Sequence, residues 1–123
     1  MTELLYKDLA FSVIGAAMEV HKVLGPGFPE NVYQGALERE MTIRNIPFVA
    51  QQHIQIVYKE FVIADYYLDL VVDEKIVIEL KAADMLVKVH ESQVLTYLKA
   101  SGLRLGLLIN FGESGLRSKR IVK

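Results

Sequence analysis

The sequence predicts an α/β fold: two helices, three strands, a helix and a strand, making a small mixed sheet flanked by helices. Three observations carry this. Apolar residues recur at helical spacing in the first third of the chain and again over residues 90–101. Between those stretches the pattern turns strand-like, with short runs rich in Ile and Val separated by turn residues. The last apolar run then follows a helix, and a helical crossover places its strand parallel to the preceding one, with a right-handed connection.

Taken in order, Tyr6, Leu9, Val13, Ala17, Val20 and Leu24 predict an amphipathic helix over residues 3–24. Gly25-Pro26-Gly27 stops it, and Pro29 suits the first turn of a second helix. Val32, Tyr33, Ala36, Leu37 and Met41 form that helix's apolar face; Asn45 caps it and Pro47 ends the connection. His53–Val57 alternates as a strand, and Tyr58-Lys59-Glu60 reads as a turn. Phe61–Val72 is a second strand, Asp73-Glu74 a turn, and Lys75–Lys81 a third strand. These three form an antiparallel meander. Residues 90–101 are a helix with Val94, Leu95 and Leu98 inward, ended by Gly102. Leu103–Phe111 is a buried fourth strand, and the tail from Gly112 is short, glycine-bearing and basic.

At 123 residues, without repeats, the chain is expected to form one domain, and 52% hydrophobic residues support a single core. No apolar run approaches the roughly 18–20 residues of a membrane span. Glu3 and Asp8 precede the apolar stretch at residues 9–18, which does not resemble a signal peptide. The absence of cysteine excludes disulfides and thiolate metal sites and fits a cytoplasmic location. A net charge of −1 argues against a broadly basic nucleic-acid surface, so contact with phosphates requires a local patch or a bound cation.

The segment from Asp69 to Lys81 concentrates the chemistry. Glu79 and Lys81 interrupt an apolar strand and point to one side of it. Buried charges there would cost several kcal/mol unless compensated. A hard divalent cation such as Mg²⁺ (or Mn²⁺) takes oxygen ligands, and Asp69, Glu79 and the Leu80 carbonyl suit it. Lys81 could orient a water or neutralise phosphate charge. Convergence depends on register. A two-residue loop at Asp73-Glu74 would pair Leu68 with Glu79 and turn Asp69 to the opposite face. A three-residue loop or a bulge near Val72–Lys75 is therefore expected. The competing reading is a solvated hairpin with surface ion pairs.

Gln93 and Tyr97 share a helix face, consistent with ordinary packing. Glu30 suits a helix N-terminus through the dipole, and Tyr33 suits a core position. Together, however, Gly27-x-x-Glu30-x-x-Tyr33, Ile14-Gly-Ala-Ala-Met-Glu-Val-His21, Leu24-Gly-Pro-Gly27, Val77-Ile-Glu-Leu-Lys-Ala82, His90-Glu-Ser-Gln93, and Leu95-Thr-Tyr-Leu98 through Leu103–Phe111 resemble the GxxExxY protein family. The likeness spans about residues 10–111. That family in turn resembles the PD-(D/E)xK nuclease superfamily, in particular its RecB-like branch, whose Gln-x-x-x-Tyr helix is matched by Gln93–Tyr97. Tyr67-Leu68 replaces the usual Pro-Asp lead into the first acid, and Pro29 replaces an expected leucine.

The resemblance implies a restriction-endonuclease-like ααβββαβ core and metal-dependent phosphodiester hydrolysis, on DNA before RNA. It makes Asp69 and Glu79 metal ligands and Lys81 the catalytic lysine. It gives Gln93 a water or phosphate to position, with Tyr97 as neighbour, and makes Glu30 an early-helix acid completing the shell. The alternative is a catalytically inactive module of the same fold that binds nucleic acid or a protein partner.

The remaining polar candidates read more simply. Glu19 and His21 suit a solvated helix end, and His53 an edge strand. His90 either caps the third helix or borders the site. Arg104, Arg117, Lys119 and Arg120 form either a phosphate-binding patch or a solvated tail. No phosphate-cradling glycine loop or nucleophile elbow is present. So small a domain suggests a homodimer or a larger partner, with Leu4, Leu5 and Tyr6 as an interface.

Overall fold

The computed structural model describes residues 4–123. Its elements run α1 (Lys7–Leu24), α2 (Glu30–Ile43), β1 (Phe48–Tyr58), β2 (Phe61–Val72), β3 (Ile76–Lys81), α3 (Lys88–Ser101), β4 (Leu105–Asn110) and β5 (Arg117–Val122). The strands form one sheet in the order β1-β2-β3-β4-β5. All neighbours are antiparallel except β3 and β4, which α3 connects as a parallel pair. This is the expected ααβββαβ order with one strand added.

The added strand corrects the reading of the tail. Arg-Ser-Lys-Arg-Ile-Val carries little strand signal because its side chains are mostly exposed and only Ile121 is buried. It pairs with β4 along its whole length, and its lysine and arginines give that sheet edge the charge that discourages further pairing. Element boundaries also shift, among them β4, which runs Leu105–Asn110 inside the expected Leu103–Phe111. α1 begins at Lys7, because Tyr6 is left-handed at φ 51°; residue 3 lies outside the described residues. β1 begins at Phe48, ahead of the expected His53, and α3 begins at Lys88. Leu5 and Tyr6 pack against the core, so they do not provide the exposed interface expected of them.

Two cores sandwich the sheet. On one side Ala10, Val13, Ala17 and Val20 of α1 and Tyr33, Leu37 and Met41 of α2 meet Leu70, Ile78, Leu80, Leu107 and Ile109. On the other, Val94, Tyr97 and Leu98 of α3 meet Leu68, Val71, Val77 and Leu108. Gly106 lets α3 lie close: a Cβ there would stand 2.4 Å from Val94 Cγ1.

Two hairpins set the register. Lys59 and Glu60, at φ 47° and 75°, make a two-residue turn of the kind that matches strand twist. The β2–β3 loop has three residues, Asp73, Glu74 and Lys75, since Val72 pairs with Ile76. That odd length turns Asp69 to the side of Glu79. The β1–β2 ribbon also turns over beside Asp69. Leu70 belongs to the core under α1 and α2, yet Leu68 belongs to the core under α3. Opposite this change of face, Gln51 adopts φ 51°.

Candidate active site

The β2–β3 ladder ends at Leu70 and Ile78, so Asp69 and Glu79 lie just where the two strands part. Asp69 Oδ2 accepts the Leu80 amide at 2.9 Å, taking over a bond the ladder no longer supplies. In a strand the N–H and C=O of one residue face the same edge, so the Leu80 carbonyl faces this opening as well. The Lys81 carbonyl faces the other way and accepts the Phe111 amide at 2.8 Å.

Glu79 is 3% exposed. Burial, then a hydrogen bond with Asp69 and the negative charge of Asp69, push its carboxyl up to about 10; Lys81 opposes the shift. Without a cation the fold therefore favours the neutral form of the Glu79 carboxyl beside Asp69. The donor set of two carboxyls and a peptide carbonyl is all oxygen, which fits Mg²⁺ or Mn²⁺. Among the described residues no group of three or more Asp, Glu or His side chains is placed to hold an ion. The remaining ligands of such an ion would come from the Leu80 carbonyl, water and substrate.

The two flanking helices complete the site. α2 brings Glu30, exposed at the rim, whose carboxyl is raised by desolvation, opposed by Lys81 and further raised by Asp69. One turn on, Gln34 Nε2 donates to the Asp69 carbonyl at 2.8 Å and fastens α2 to β2. α3 brings Gln93, whose Nε2 donates to Tyr97 Oη at 2.9 Å. Tyr97 is raised by burial first and by the Glu79 charge second, which places its hydroxyl in the electrostatic reach of the acid pair. With Nε2 engaged by Tyr97, the Gln93 Oε1 is left to accept a bond from water.

Tyr33 acts from further back. It is fully buried and stacked on Phe111 with centroids 4.8 Å apart. Its hydroxyl donates to the Gly25 carbonyl at 2.6 Å and accepts the Phe28 amide at 3.1 Å. The Gly27-x-x-Glu30-x-x-Tyr33 spacing thus has a physical reason. Gly27 takes φ 117°, which only glycine adopts readily, and Tyr33 ties down the turn so that Glu30 opens α2 at the rim of the site.

His90 caps α3: its Nδ1 accepts the Val87 amide at 3.1 Å. His21 is buried rather than solvated, with Nε2 donating to the Glu113 carbonyl at 2.9 Å. His53 sits on the edge strand as expected, bonded to Asp65 at 2.6 Å and stacked on Tyr67. The basic tail is partly spent internally. Lys119 pairs with Glu91, Arg117 with Glu113, and Arg120 donates to the Leu5 carbonyl.

Sequence reasoning missed two residues that hold the site together. Gln34 was recoverable in principle, because it stands one helical turn after Glu30 on the same face. Asn110 is fully buried at the end of β4. Its Oδ1 accepts the Ala83 and Gly112 amides, and its Nδ2 donates to the Ala83 carbonyl and to Glu113. It therefore clamps the chain just past Lys81.

A family model described as the PD-(D/E)XK nuclease superfamily matches residues 7–122. The chain belongs to that superfamily. The crystal structure of SSO0001 is similar in fold, with a TM-score of 0.61 at 20% identity, covering 96% of this chain. This chain spans only 57% of that one. No curated protein matches. No helix among the described residues is long and apolar enough to cross a membrane.

Proposed function

We propose that this protein is a metal-dependent nuclease that hydrolyses phosphodiester bonds of nucleic acid, with DNA the first substrate to test. The observation that supports this most strongly is the buried Glu79 carboxyl set beside Asp69 where β2 and β3 part, with Lys81 two residues on. A bound Mg²⁺ or Mn²⁺ would supply charge stabilisation at the phosphate and a more acidic water. In this reading Asp69, Glu79 and the Leu80 carbonyl hold the ion, and Glu30 adds negative charge at the rim. Gln93, steadied by Tyr97, accepts a hydrogen bond from the attacking water. Lys81 places its ammonium where charge builds on the phosphate oxygens. Water oxygen bonds to phosphorus and releases one proton to solvent, the ester P–O bond breaks, and the leaving oxygen takes a proton from solvent, so no net proton is gained or lost.

The net charge of −1 and the internally paired tail favour a second reading, a nuclease-fold module that contacts a protein rather than a phosphate backbone. Incubation with single-stranded, duplex and branched DNA, and with RNA, in Mg²⁺ or Mn²⁺ separates the two. The nuclease reading expects cleavage that falls at least about 100-fold in Lys81→Met and in Glu79→Gln, the scale of losing a transition-state charge partner. Cleavage unaffected by either substitution belongs to another protein or site. No cleavage of any substrate by the folded wild type favours the module.

A further inference from the structure

Asp8, Phe11, Gly15, Met18 and Lys22 follow one another along α1 at steps of three, four, three and four residues. That spacing draws one stripe along a helix, the seam of an antiparallel or parallel helix pair. The stripe lies opposite the residues α1 buries, Ala10, Val13, Ala17 and Val20. Phe11 is 80% exposed and Met18 58% exposed. Phe11 and Met18 thus leave their apolar side chains uncovered on either side of Gly15.

The order of the stripe decides the partner. It reads the same from either end except that its charges change sign: acid, apolar, glycine, apolar, base. Asp8 stands seven residues before Gly15 and Lys22 seven after it. Two copies of α1 laid antiparallel about a two-fold axis at Gly15 bring each Asp8 to the other's Lys22. The same axis brings each Met18 over the segment between Phe11 and Gly15. A groove of about 230 Å³ opens there, lined by Phe11, Ser12, Gly15, Arg44 and Ile46. Methionine, flexible and unbranched, suits such a groove. Neither Asp8 nor Lys22 forms an ion pair among the described residues. Asp8 in the stripe also disfavours a phosphate backbone as the occupant, and an unrelated partner would give no reason for the mirrored charges.

We infer that α1 is a homodimer interface in which the Asp8–Lys22 stripes of two copies pair antiparallel, Met18 of each filling the groove beside Gly15 of the other. This is an isologous contact, so every favourable pair occurs twice. It is smaller than a standard permanent interface, and the dimer dissociates on dilution through the micromolar range. The stripe shares no residue with the acid pair, so the inference stands apart from the nuclease reading.

Sedimentation equilibrium of the full chain, without metal or nucleic acid, tests it. Wild type is expected to be a monomer–dimer equilibrium. Phe11→Asp should be monomeric over the same range, with an unchanged circular dichroism spectrum because Phe11 is 80% exposed and lies outside both cores. Asp8→Lys alone and Lys22→Asp alone should each weaken the dimer roughly tenfold, and the two together should restore it to within about threefold of wild type. Glu79→Gln should dimerise like wild type. A wild type that stays monomeric, a Phe11→Asp variant that still dimerises, or a double charge swap with no recovery would overturn the inference.

Discussion

Glu79 has Ile78 and Leu80 as neighbours in β3, both fully buried, and Lys81 two residues on offsets only part of the cost of its charge. The proton it holds links stability to pH. In the unfolded chain its carboxyl titrates near 4.5, and in the fold it is pushed up to about 10, by burial first and by Asp69 second. Between those values the fold must retain a proton that the unfolded chain has released. The contribution of Glu79 is thus fully favourable below the unfolded value and is lost as pH rises toward the folded one. Glu79→Gln keeps the shape and cannot ionise. In chelator at pH 8 it should be more stable than wild type by about 1–3 kcal/mol, the gap closing toward pH 5. Denaturant unfolding at both pH values measures this, and a gap that does not change with pH would mean the buried carboxyl is not protonated.

At the scale of elements, the site depends on where β3 ends and what stops it from drifting. Asn110 at the end of β4 holds Ala83, and Gly112 lies against the same peptide. A Cβ on Gly112 would stand 2.3 Å from the Ala83 carbonyl oxygen and 2.6 Å from its nitrogen. These are backbone atoms that cannot swing aside, so the β3–α3 connection must move. Gly112→Ala should cost about 1–3 kcal/mol in denaturant unfolding, in the range of overpacked interiors. It should also lower cleavage by displacing Lys81. Gly115→Ala, where nothing lies within 4 Å, is the matched control and should change neither.

For the molecule as a whole, the parts legible in the sequence were those encoded by neighbours along the chain. Ile-Val-Ile against Glu79 and Lys81 announced a strand with a charged face, and arithmetic on the Asp73–Lys75 loop required the odd length that brings Asp69 across. The spacing of Gly27, Glu30 and Tyr33 carried a turn and a helix start. What stayed hidden was set by distant partners. β5 is a strand only because β4 offers it an edge, and its Arg-Ser-Lys-Arg composition reads as a tail. Gln34 and Asn110 matter through bonds to Asp69 and Ala83, residues 35 and 27 positions away. His21 read as solvated because its acceptor, the Glu113 carbonyl, lies 92 positions on.

In the proposed mechanism a divalent cation displaces the proton that the buried Glu79 carboxyl holds beside Asp69. Calorimetric titration of Mg²⁺ or Mn²⁺ into the protein at neutral pH, repeated in buffers of differing ionisation enthalpy, counts the protons released per ion bound. The expected result is release of about one proton per cation in wild type, with binding lost or greatly weakened in Glu79→Gln. Binding without proton release, or binding that Glu79→Gln leaves untouched, would contradict it.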